Sequence, residues 1–432
     1  MLKISAAEFA KIVAGQLHEI SESTMIDQTP VINSKSATKD SFFVAFKGEQ
    51  VDGHNFVTEA INLGAKFTLV SKPVAEPHVL VADTGKALID LAIYLRSKLP
   101  ELKIVGITGS QGKTTTKEFL HSILKLDGET VATAGNFNTD IGVPLTLLRC
   151  NEQTKFCILE MGARHSGDIA KLTKMTKPNV GVVLVVGTAH IGEFGSVEAI
   201  AKTKAELIIN LPASSTAVLG SYDIYTPKMA DSLHVQKVLF GDSQNVRAAD
   251  LEMHGGYAHF DLVTPAGRKA VSLQVLGEHQ VPNALAAAAA AFALGVVNEN
   301  IAVGLTTAVL DSKWRMQIEE INGIHLIHDY YNANPESMKA ALKTLILLSQ
   351  ESGGASWAIL GKMHELGETS QAIHEQIAKL ASDLGVTQVI AVGELAKEYG
   401  LPRFISTPDG NTDSGRDGSG QESVWFPDFD SA

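Results

Sequence analysis

A glycine-rich segment in the first third of the chain has the residues needed to bind phosphate groups. It reads G-I-T-G-S-Q-G-K-T-T-T over residues 106–116 and follows the apolar stretch KIVGIT. In such a turn, backbone N–H groups point at phosphate oxygens and the next helix adds the positive end of its dipole. Lys113 supplies a charge for the β- and γ-phosphates, and a threonine hydroxyl can reach Mg²⁺. The segment predicts ATP binding by Gly109, Ser110, Gln111, Gly112, Lys113, Thr114 and Thr115.

The spacing of this segment differs from the usual G-x-x-x-x-G-K-[ST] pattern. The position five residues before Gly112 is Ile107, and the segment instead reads T-G-x-x-G-K-T-T with Gly109 three residues before Gly112. The alternative interpretation is a glycine-rich strand–helix turn with an incidental lysine. The order of strand, glycines, lysine and threonines favours the phosphate site.

Two further polar residues follow predicted strands. Glu160 ends the strand FCILE, and His190 follows VGVVLVVGTA. Open α/β sheets bind ligands at the carboxyl ends of their strands, so both residues are candidate metal ligands beside a nucleotide. Alternatively, Glu160 is a solvated strand end and His190 caps a helix. Lys204 lies next to Lys202 in the predicted helix SVEAIAKTKAELIINL, and composition alone indicates a solvated helix lysine.

The elements that would position these residues form three α/β units. Residues 1–83 alternate short helices and strands. Residues 84–311 begin with a helix at 85–99 and continue as strand–loop–helix repeats, with helices starting at Lys113, Gly167 and Ser196. Apolar strands alternating with helices predict a parallel sheet covered on both faces. Residues 312–432 form a third unit, with helices starting at Pro335 and Ser370.

Bulk composition narrows the class of protein. The chain has 432 residues and a net charge of −12, which argues against a nucleic-acid partner. Two cysteines, Cys150 and Cys157, are too few for a disulfide scaffold and fit a reducing compartment. The N-terminus has no apolar signal region, and residues 284–297 are too short to span a bilayer and read as a buried helix. We expect a soluble cytoplasmic protein.

Longer motifs resemble one known family, the Mur ligases, which form amide bonds with ATP in peptidoglycan precursor synthesis. The resemblance covers nearly the whole chain. Its motifs are FFVAFKGEQVDGHNF (42–56), TGSQGKTT (108–115), GNFNTDIGVP (135–144), LEMGA (159–163), TAHIGEFGS (188–196), GEHQVPNALAAAA (277–289), HDYYNANPESM (328–338) and GKMHELG (361–367). The string HDYYNANPESM is most similar to the branch that adds D-alanyl-D-alanine.

The resemblance implies roles for single residues. It makes Thr114, Glu160, His190 and Lys204 the ligands of Mg²⁺, and Lys113, Glu160, His190 and Lys204 the catalytic residues. The lysine at position 204 is carbamylated in many members. Nucleotide-binding residues beyond the loop are Asn283, Arg315, Asp329 and Asn332. Substrate-binding residues are Ser34, Lys35, Asn136, Asn138, Thr139 and Asn334. The N-terminal unit would bind the UDP-muramyl substrate, the central unit ATP, and the third, Rossmann-like unit would complete the ligase site.

Two positions depart from the family pattern. Many members have arginine where this chain has Lys35, and lysine lacks the bidentate fork of arginine. An acidic residue is common at the position of Lys362. The implied reaction converts a peptide carboxylate to an acyl phosphate, which the amine of D-Ala-D-Ala attacks to give the amide, ADP and phosphate. The implied partners are UDP-N-acetylmuramoyl-tripeptide and D-Ala-D-Ala, and the implied oligomeric state is a monomer.

The C-terminal part of the sequence differs from the family in length. Residues 406–423 are rich in Gly, Ser, Asp and Asn and predict a loop, VWF predicts a strand, and PDFDSA resembles the first turn of a helix. Family members continue with a helix, a strand and a final helix. We therefore expect the third unit to be incomplete, without its last helix–strand–helix.

Other functions stay open at this point. The chain could be another amide ligase of the superfamily, such as the diamino-acid-adding Mur enzyme or a folylpolyglutamate synthase. The YNANP string and the absence of a G-T-N-G-K-G-S loop argue against both. It could also bind nucleotide without turnover, because the third unit is short. A switch GTPase is more distant, since the sequence has no N-K-x-D motif.

Overall fold

The computed structural model describes residues 1–48, 50–189, 191–401 and 422–426. Within these residues the chain forms the three consecutive α/β units that the sequence predicts. The exact boundaries near residues 83 and 312 stay predictions. Among the described residues, no helix combines the length and apolar character needed to cross a bilayer.

The N-terminal unit is built on a five-stranded sheet. Its elements are β1 (Ile4–Ser5), α1 (Ala6–Ile12), β2 (Gln16–His18), β3 (Met25–Ile26), β4 (Thr29–Val31), β5 (Ser41–Val44), α2 (Val57–Asn62), β6 (Thr68–Val70) and β7 (His78–Leu80). The strand order is β2-β7-β6-β5-β4, in which β2 runs antiparallel to β7 and the other neighbours are parallel. Strands β1 and β3 form a separate antiparallel pair.

Helix α3 (Thr84–Lys98) joins the first two units and confirms the helix predicted at 85–99. Asp83 caps its N-terminus by accepting hydrogen bonds from the N–H groups of Gly85 and Lys86. Its buried leucines belong to one hydrophobic core that also contains residues of the first and second units. The two units therefore share a core through this helix.

The central unit contains a six-stranded, fully parallel sheet in the order β13-β12-β11-β8-β10-β9. Its elements are β8 (Lys103–Thr108), α4 (Lys113–Leu124), β9 (Thr130–Ala132), α5 (Gly142–Leu147), β10 (Phe156–Glu160), α6 (Asp168–Thr176), β11 (Val180–Val183), α7 (Ile191–Phe194), α8 (Val197–Ile209), β12 (Thr216–Gly220) and β13 (Gln236–Phe240). The predicted parallel sheet and the helix starts near 113, 167 and 196 are confirmed.

Both faces of this sheet are covered, as the apolar strands predict. Successive side chains of a strand point to opposite faces. In β10, Phe156 and Ile158 enter one hydrophobic core, whereas Cys157 and Leu159 enter the other. Cys157 and Cys150 are both free and buried.

An antiparallel meander that was not predicted from the sequence follows the parallel sheet. It consists of β14 (Arg247–His254), β15 (Tyr257–Thr264) and β16 (Gly267–Leu276), and leads into α9 (Gln280–Ala293) and α10 (Asn298–Thr306). Residues 284–291 of α9 are all buried, which confirms the predicted buried helix there. Because these residues are nearly all alanine, α9 packs closely against α4, the helix that follows the phosphate loop.

The C-terminal unit begins with a hairpin and continues as a parallel sheet. Its elements are β17 (Gln317–Ile321), β18 (Ile324–His328), α11 (Pro335–Ser352), β19 (Trp357–Leu360), α12 (Ser370–Asp383), β20 (Gln388–Val392) and β21 (Glu422–Phe426). Strands β19, β20 and β21 are parallel neighbours in that order. The predicted helix starts at Pro335 and Ser370 are confirmed.

The end of the chain is described in part. The predicted strand VWF lies in β21, which begins at Glu422, so the predicted loop at 406–423 is too long by two residues. The rest of that loop and the predicted helical turn at 427–432 lie outside the described residues. The expectation that the unit lacks its last helix–strand–helix stays a prediction.

Candidate active site

The carboxyl ends of three central strands meet at one edge of the parallel sheet. Glu160 at the end of β10 is level with Ile107 of β8, and Val183 of β11 is level with Thr108. A cleft of about 1040 Å³ opens at this edge and is lined by residues of the central and C-terminal units. It brings together these predicted residues: Ser110, Gln111, Gly112, Lys113, Thr114, Thr115, Asn136, Asn138, Glu160, Asn283, Arg315, Asp329, Asn332 and Asn334.

Gly112 permits the sharp turn from the phosphate loop into α4. Its φ is +82°, in the left-handed region, and a Cβ built on it would lie 2.1 Å from Oδ1 of Asn283. Only glycine avoids both the backbone strain and this clash. Ser110 fixes the other part of the loop, because its hydroxyl accepts a 2.8 Å hydrogen bond from the N–H of Gly187.

Lys113 lies across the loop that it closes. Its ammonium donates a 2.8 Å hydrogen bond to the carbonyl of Gly109. An ammonium has three N–H donors, so two are left for phosphate oxygens. Burial lowers the pKa of Lys113; the negative charge of Glu160 opposes this effect, and the positive charge of Arg315 adds to it.

Glu160 is buried, and both of its carboxylate oxygens are held in place. Oε2 accepts a hydrogen bond from the hydroxyl of Thr114 at 3.1 Å, and Oε1 accepts one from Nδ2 of Asn138 at 3.0 Å. The backbone N–H of Glu160 donates to the hydroxyl of Thr133 at 3.0 Å. The alternative interpretation of Glu160 as a solvated strand end is therefore wrong.

The oxygen atoms of Thr114 and Glu160 fit Mg²⁺, which prefers hard oxygen ligands and uses few carboxylates beside substrate phosphates. In the part of the chain that the structure describes, no three His, Cys, Asp or Glu side chains converge as a protein-only metal cage would require. His190 lies outside the described residues, so its place among the ligands stays a prediction.

Lys204 differs from its neighbour in α8. Lys202 is exposed, whereas Lys204 is half-buried. Burial and, as the lesser cause, the positive charge of Lys113 together lower the pKa of Lys204 to about 7. The interpretation from composition, a solvated helix lysine, is therefore wrong for Lys204. The spacing contains a signal for this, since Ile200 and Ile208 are buried four residues before and after it.

The C-terminal unit contributes Arg315 and Asp329 to the opposite wall. The guanidinium of Arg315 lies 4.3 Å from the ring centre of Tyr331. Oδ1 of Asp329 accepts a 3.1 Å hydrogen bond from the N–H of Met316. Burial raises the pKa of Asp329 to about 6, although the Met316 hydrogen bond and the Arg315 charge act against the rise. Asn332 is exposed, and its side-chain oxygen accepts from the N–H of Ala333 at 3.0 Å.

Asn334 and Glu336 begin α11 at the edge of the cleft. Oδ1 of Asn334 accepts a 2.9 Å hydrogen bond from the N–H of Ser337, so Asn334 is the helix cap. Glu336 accepts hydrogen bonds from Thr188 of the central unit. Sequence reasoning missed Glu336, because nothing in its spacing reveals a partner so far away in the chain.

The remaining predicted substrate residues lie outside the cleft lining. Thr139 precedes α5, and its carbonyl accepts from the N–H of Val143 at 2.9 Å. Ser34 and Lys35 lie in the N-terminal unit, in a single 3₁₀ turn. The hydroxyl of Ser34 donates to Oε2 of Glu59 at 2.5 Å, and Lys35 is exposed. Their predicted roles with substrate stay predictions.

A C-terminal loop, residues 361–366, supplies His364, Glu365 and Leu366 to the cleft, and these were not among the predicted site residues. Two buried side chains hold its backbone. Nε2 of His374 accepts from the N–H of Met363 at 3.1 Å, and the hydroxyl of Tyr399 donates to the carbonyl of Gly361 at 2.6 Å.

Lys362, which departs from the family pattern, lies in the same loop and pairs with Glu394 at 2.7 Å. The loop also contacts the central unit, because the carbonyl of Glu365 accepts from the N–H of Gly192 at 3.1 Å. Its position therefore depends on both units.

The start of α9 supplies a second set of polar residues that the sequence analysis did not single out. Gln280 is buried and accepts a 2.9 Å hydrogen bond from Nδ2 of Asn283. His279 lines the cleft beside it, and burial lowers the pKa of this histidine to about 4. His279 is therefore neutral at physiological pH.

Three domain families match consecutive segments of the chain. The family described as "Mur ligase family, catalytic domain" matches residues 31–93. "Mur ligase middle domain" matches residues 107–291, which include the phosphate loop and Asn283. "Mur ligase, glutamate ligase domain" matches residues 314–409.

Individual proteins are similar over most of their length. The UDP-N-acetylmuramoyl-tripeptide–D-alanyl-D-alanine ligase of Mycobacterium tuberculosis is 37% identical over 426 residues, covering 91% of this chain and 84% of that protein. The crystal structure of MurF from Acinetobacter baumannii has a TM-score of 0.86 at 33% identity, covering 98% of this chain and 90% of that one. MurF ligase from Thermotoga maritima, solved in complex with ADP, has a TM-score of 0.74 at 28% identity, with 94% and 89% covered.

Proposed function

The chain belongs to the Mur ligase family, and on that premise we propose that it joins D-alanyl-D-alanine to the peptide carboxylate of UDP-N-acetylmuramoyl-tripeptide in an ATP-dependent reaction. The names of its relatives, which are UDP-N-acetylmuramoyl-tripeptide–D-alanyl-D-alanine ligases, support this substrate pair. The observation that carries the proposal is one cleft in which the phosphate loop and Glu160 face Arg315 and Asp329 of the C-terminal unit.

The chemistry explains why a phosphate loop serves an amide ligase. A carboxylate does not react with an amine at neutral pH, because the leaving group would be oxide. When a carboxylate oxygen attacks the γ-phosphorus of ATP, the bond between that phosphorus and the β–γ bridging oxygen breaks and ADP leaves. The amine nitrogen then attacks the carbonyl carbon of the acyl phosphate, the carbon–oxygen bond to phosphate breaks, and the nitrogen loses a proton.

In this proposal the chain's residues stabilise and orient the transferring phosphoryl group. The N–H groups of residues 109–115 and the two remaining donors of Lys113 bind phosphate oxygens. Thr114 and Glu160 would hold Mg²⁺, and family resemblance adds His190 and Lys204 as ligands of Mg²⁺. When bound, Mg²⁺ neutralises charge on the phosphates.

The other predicted residues would bind the nucleotide and the muramyl substrate. Asn283 approaches the phosphate loop closely, and Arg315 and Asp329 face it from the C-terminal unit, which supports a nucleotide role. We assign Asn136, Asn138, Thr139 and Asn334 to the muramyl-peptide side. Ser34 and Lys35 would bind the uridine nucleotide in the N-terminal unit.

Water must be excluded from this cleft, because an acyl phosphate hydrolyses. Two units that contribute opposite walls can close around the intermediate, and such closure is common in ligases and kinases. The contacts of the C-terminal unit with Thr188 and Gly192 are suited to that role.

The proposal is tested by measuring phosphate release from ATP in the presence of UDP-N-acetylmuramoyl-tripeptide and one amine at a time. We expect D-Ala-D-Ala to stimulate release, and single amino acids such as meso-diaminopimelate or glutamate to have no effect. Stimulation by one of those amino acids instead would identify another ligase of the superfamily. ATP binding without release under any condition would favour a nucleotide-binding chain without turnover.

A further inference from the structure

One hydrogen-bonded contact connects the central and C-terminal units directly beside the phosphate loop. Oε1 of Glu336 accepts from the hydroxyl of Thr188 at 2.8 Å and from the N–H of the same residue at 3.3 Å. Glu336 lies in the first turn of α11, and Thr188 lies in the segment after β11. A single carboxylate oxygen thus accepts hydrogen bonds from both donors of Thr188.

The segment that contains Thr188 is itself bonded to the phosphate loop. The N–H of Ser110 donates to the carbonyl of Val185 at 2.9 Å, and the Ser110 hydroxyl accepts from the N–H of Gly187 at 2.8 Å. Only one peptide bond separates Gly187 from Thr188. A continuous path of hydrogen bonds therefore runs from the phosphate loop through residues 185–188 to the start of α11.

The charge of Glu336 strengthens this contact. Hydrogen bonds to an ionised acceptor are roughly twice as strong as those between neutral groups. A carboxylate in the first turn of a helix, as Glu336 is, also interacts favourably with the helix dipole. Glu336 is half-buried at the rim of the cleft, where water competes less with Thr188 than on an open surface.

We infer that Glu336 is a positioning residue that couples the phosphate loop to the C-terminal unit. The order of the loop and the placement of α11 then depend on each other, so a nucleotide that orders the loop also fixes the C-terminal wall of the cleft. The inference rests on the proposed function only in naming D-Ala-D-Ala as the amine of the reaction. ATP itself is held by the loop and not by Glu336.

The coupling is tested in the full-length chain with Glu336→Ala, Glu336→Gln, Thr188→Val and the double variant. Glu351→Ala is the matched control, because Glu351 is an exposed glutamate at the far end of the same helix. We expect Glu336→Ala to lower kcat/KM for D-Ala-D-Ala roughly ten- to a hundredfold, the size of a lost charged hydrogen bond. Because coupling between two sites is reciprocal, the Kd of ATP should rise as well, but by less than about threefold, since the loop and not Glu336 binds ATP.

The remaining variants separate a coupling role from a structural one. Glu336→Gln keeps an acceptor oxygen and should recover most of the lost kcat/KM. The double variant should be no worse than Glu336→Ala alone, because the same contact is lost once. If the two single losses multiply in the double variant, or if Glu351→Ala is equally impaired, the inference is wrong and Glu336 acts only on α11.

A measurement that does not need turnover distinguishes failure of this inference from failure of the proposed function. Amide hydrogen exchange of the peptide covering residues 185–189 should become faster in Glu336→Ala than in wild type or in Glu351→Ala. Unchanged exchange would overturn the coupling, whatever the activity. Wild-type protein that releases no phosphate with D-Ala-D-Ala, yet exchanges as expected, would overturn the proposed function and leave the coupling in place.

Discussion

The hydroxyl of Thr114 and the carboxylate of Glu160 are 3.1 Å apart and hydrogen-bonded, although they come from the first turn of α4 and the end of the neighbouring strand β10. This contact places a neutral and a charged oxygen side by side in the lining of the cleft between the central and C-terminal units. Such a pair can hold a divalent cation against phosphate oxygens.

Replacing Glu160 by glutamine tests that role. Glu160→Gln keeps an acceptor for Thr114 but removes the charge, so we expect kcat to fall by on the order of a hundredfold or more while the fold is retained. Steady-state kinetics over a range of Mg²⁺ concentrations is the measurement. The control is Glu129→Gln, since Glu129 accepts a 2.8 Å hydrogen bond from Thr154 and does not line the cleft. Equal effects of both variants would argue against a metal role.

Adding one methyl group to Gly112 should abolish nucleotide binding. The alanine Cβ would lie 2.1 Å from Oδ1 of Asn283, and the left-handed backbone costs a further ~1–2 kcal/mol for any residue with a Cβ. Gly167→Ala is the control, because Gly167 is also a left-handed helix cap but has open space around it. Calorimetric titration with ADP should detect binding in Gly167→Ala and none in Gly112→Ala. Binding by both variants would mean that Asn283 moves aside easily.

Asp329 makes the stability of the folded chain depend on pH. Its pKa is raised from 3.8 to about 6 in the folded chain, so the folded state holds the proton more tightly than the unfolded state. The resulting stabilisation is complete below about pH 4 and is lost as the pH rises through about 6. We expect the Tm of wild type minus the Tm of Asp329→Asn to fall across this range. A difference that is constant with pH would contradict the raised pKa.

Removing the hydroxyl of Tyr399 should destabilise the loop at residues 361–366. Tyr399→Phe deletes the 2.6 Å hydrogen bond to the carbonyl of Gly361 inside the C-terminal core, and we expect a loss of roughly 1–3 kcal/mol in stability. Tyr225→Phe is the control, because that hydroxyl bonds Glu198 at the surface and should contribute within about 0.5 kcal/mol. Thermal unfolding measures both. Similar shifts for the two variants would show that the loop is held by other contacts.

Regular, local patterns made most of the fold predictable. The strand–loop–helix repeats and caps such as Asn334 depend on residues close in sequence, and the structure places those elements where the patterns indicate. The meander was missed although β15 alternates buried and half-buried residues from Tyr257 to Thr264. Such an alternation is typical of a strand with one buried face.

The residues of the candidate site also differ in how far the sequence could predict them. The phosphate loop and Glu160 could be predicted because strand ends of a parallel sheet necessarily share one edge. Glu336 and the His374–Met363 bond could not, since each depends on how two distant segments pack. The burial of Lys204 was predictable in part. Its four-residue spacing from Ile200 and Ile208 indicates the buried face of α8, whereas the composition of the helix gives no such indication.

The buried alanines of α9 limit which mutations this part of the gene can tolerate. Residues 284 and 286–291 are alanine and fully buried where α9 meets its neighbours, α4 among them. Every single-base change that alters an alanine codon gives glycine, serine, threonine, proline, valine, aspartate or glutamate. Each of these weakens the helix, overfills the contact or buries a polar group. The codons of this short stretch should therefore tolerate few missense changes, and saturation mutagenesis should find a high density of loss-of-function alleles there.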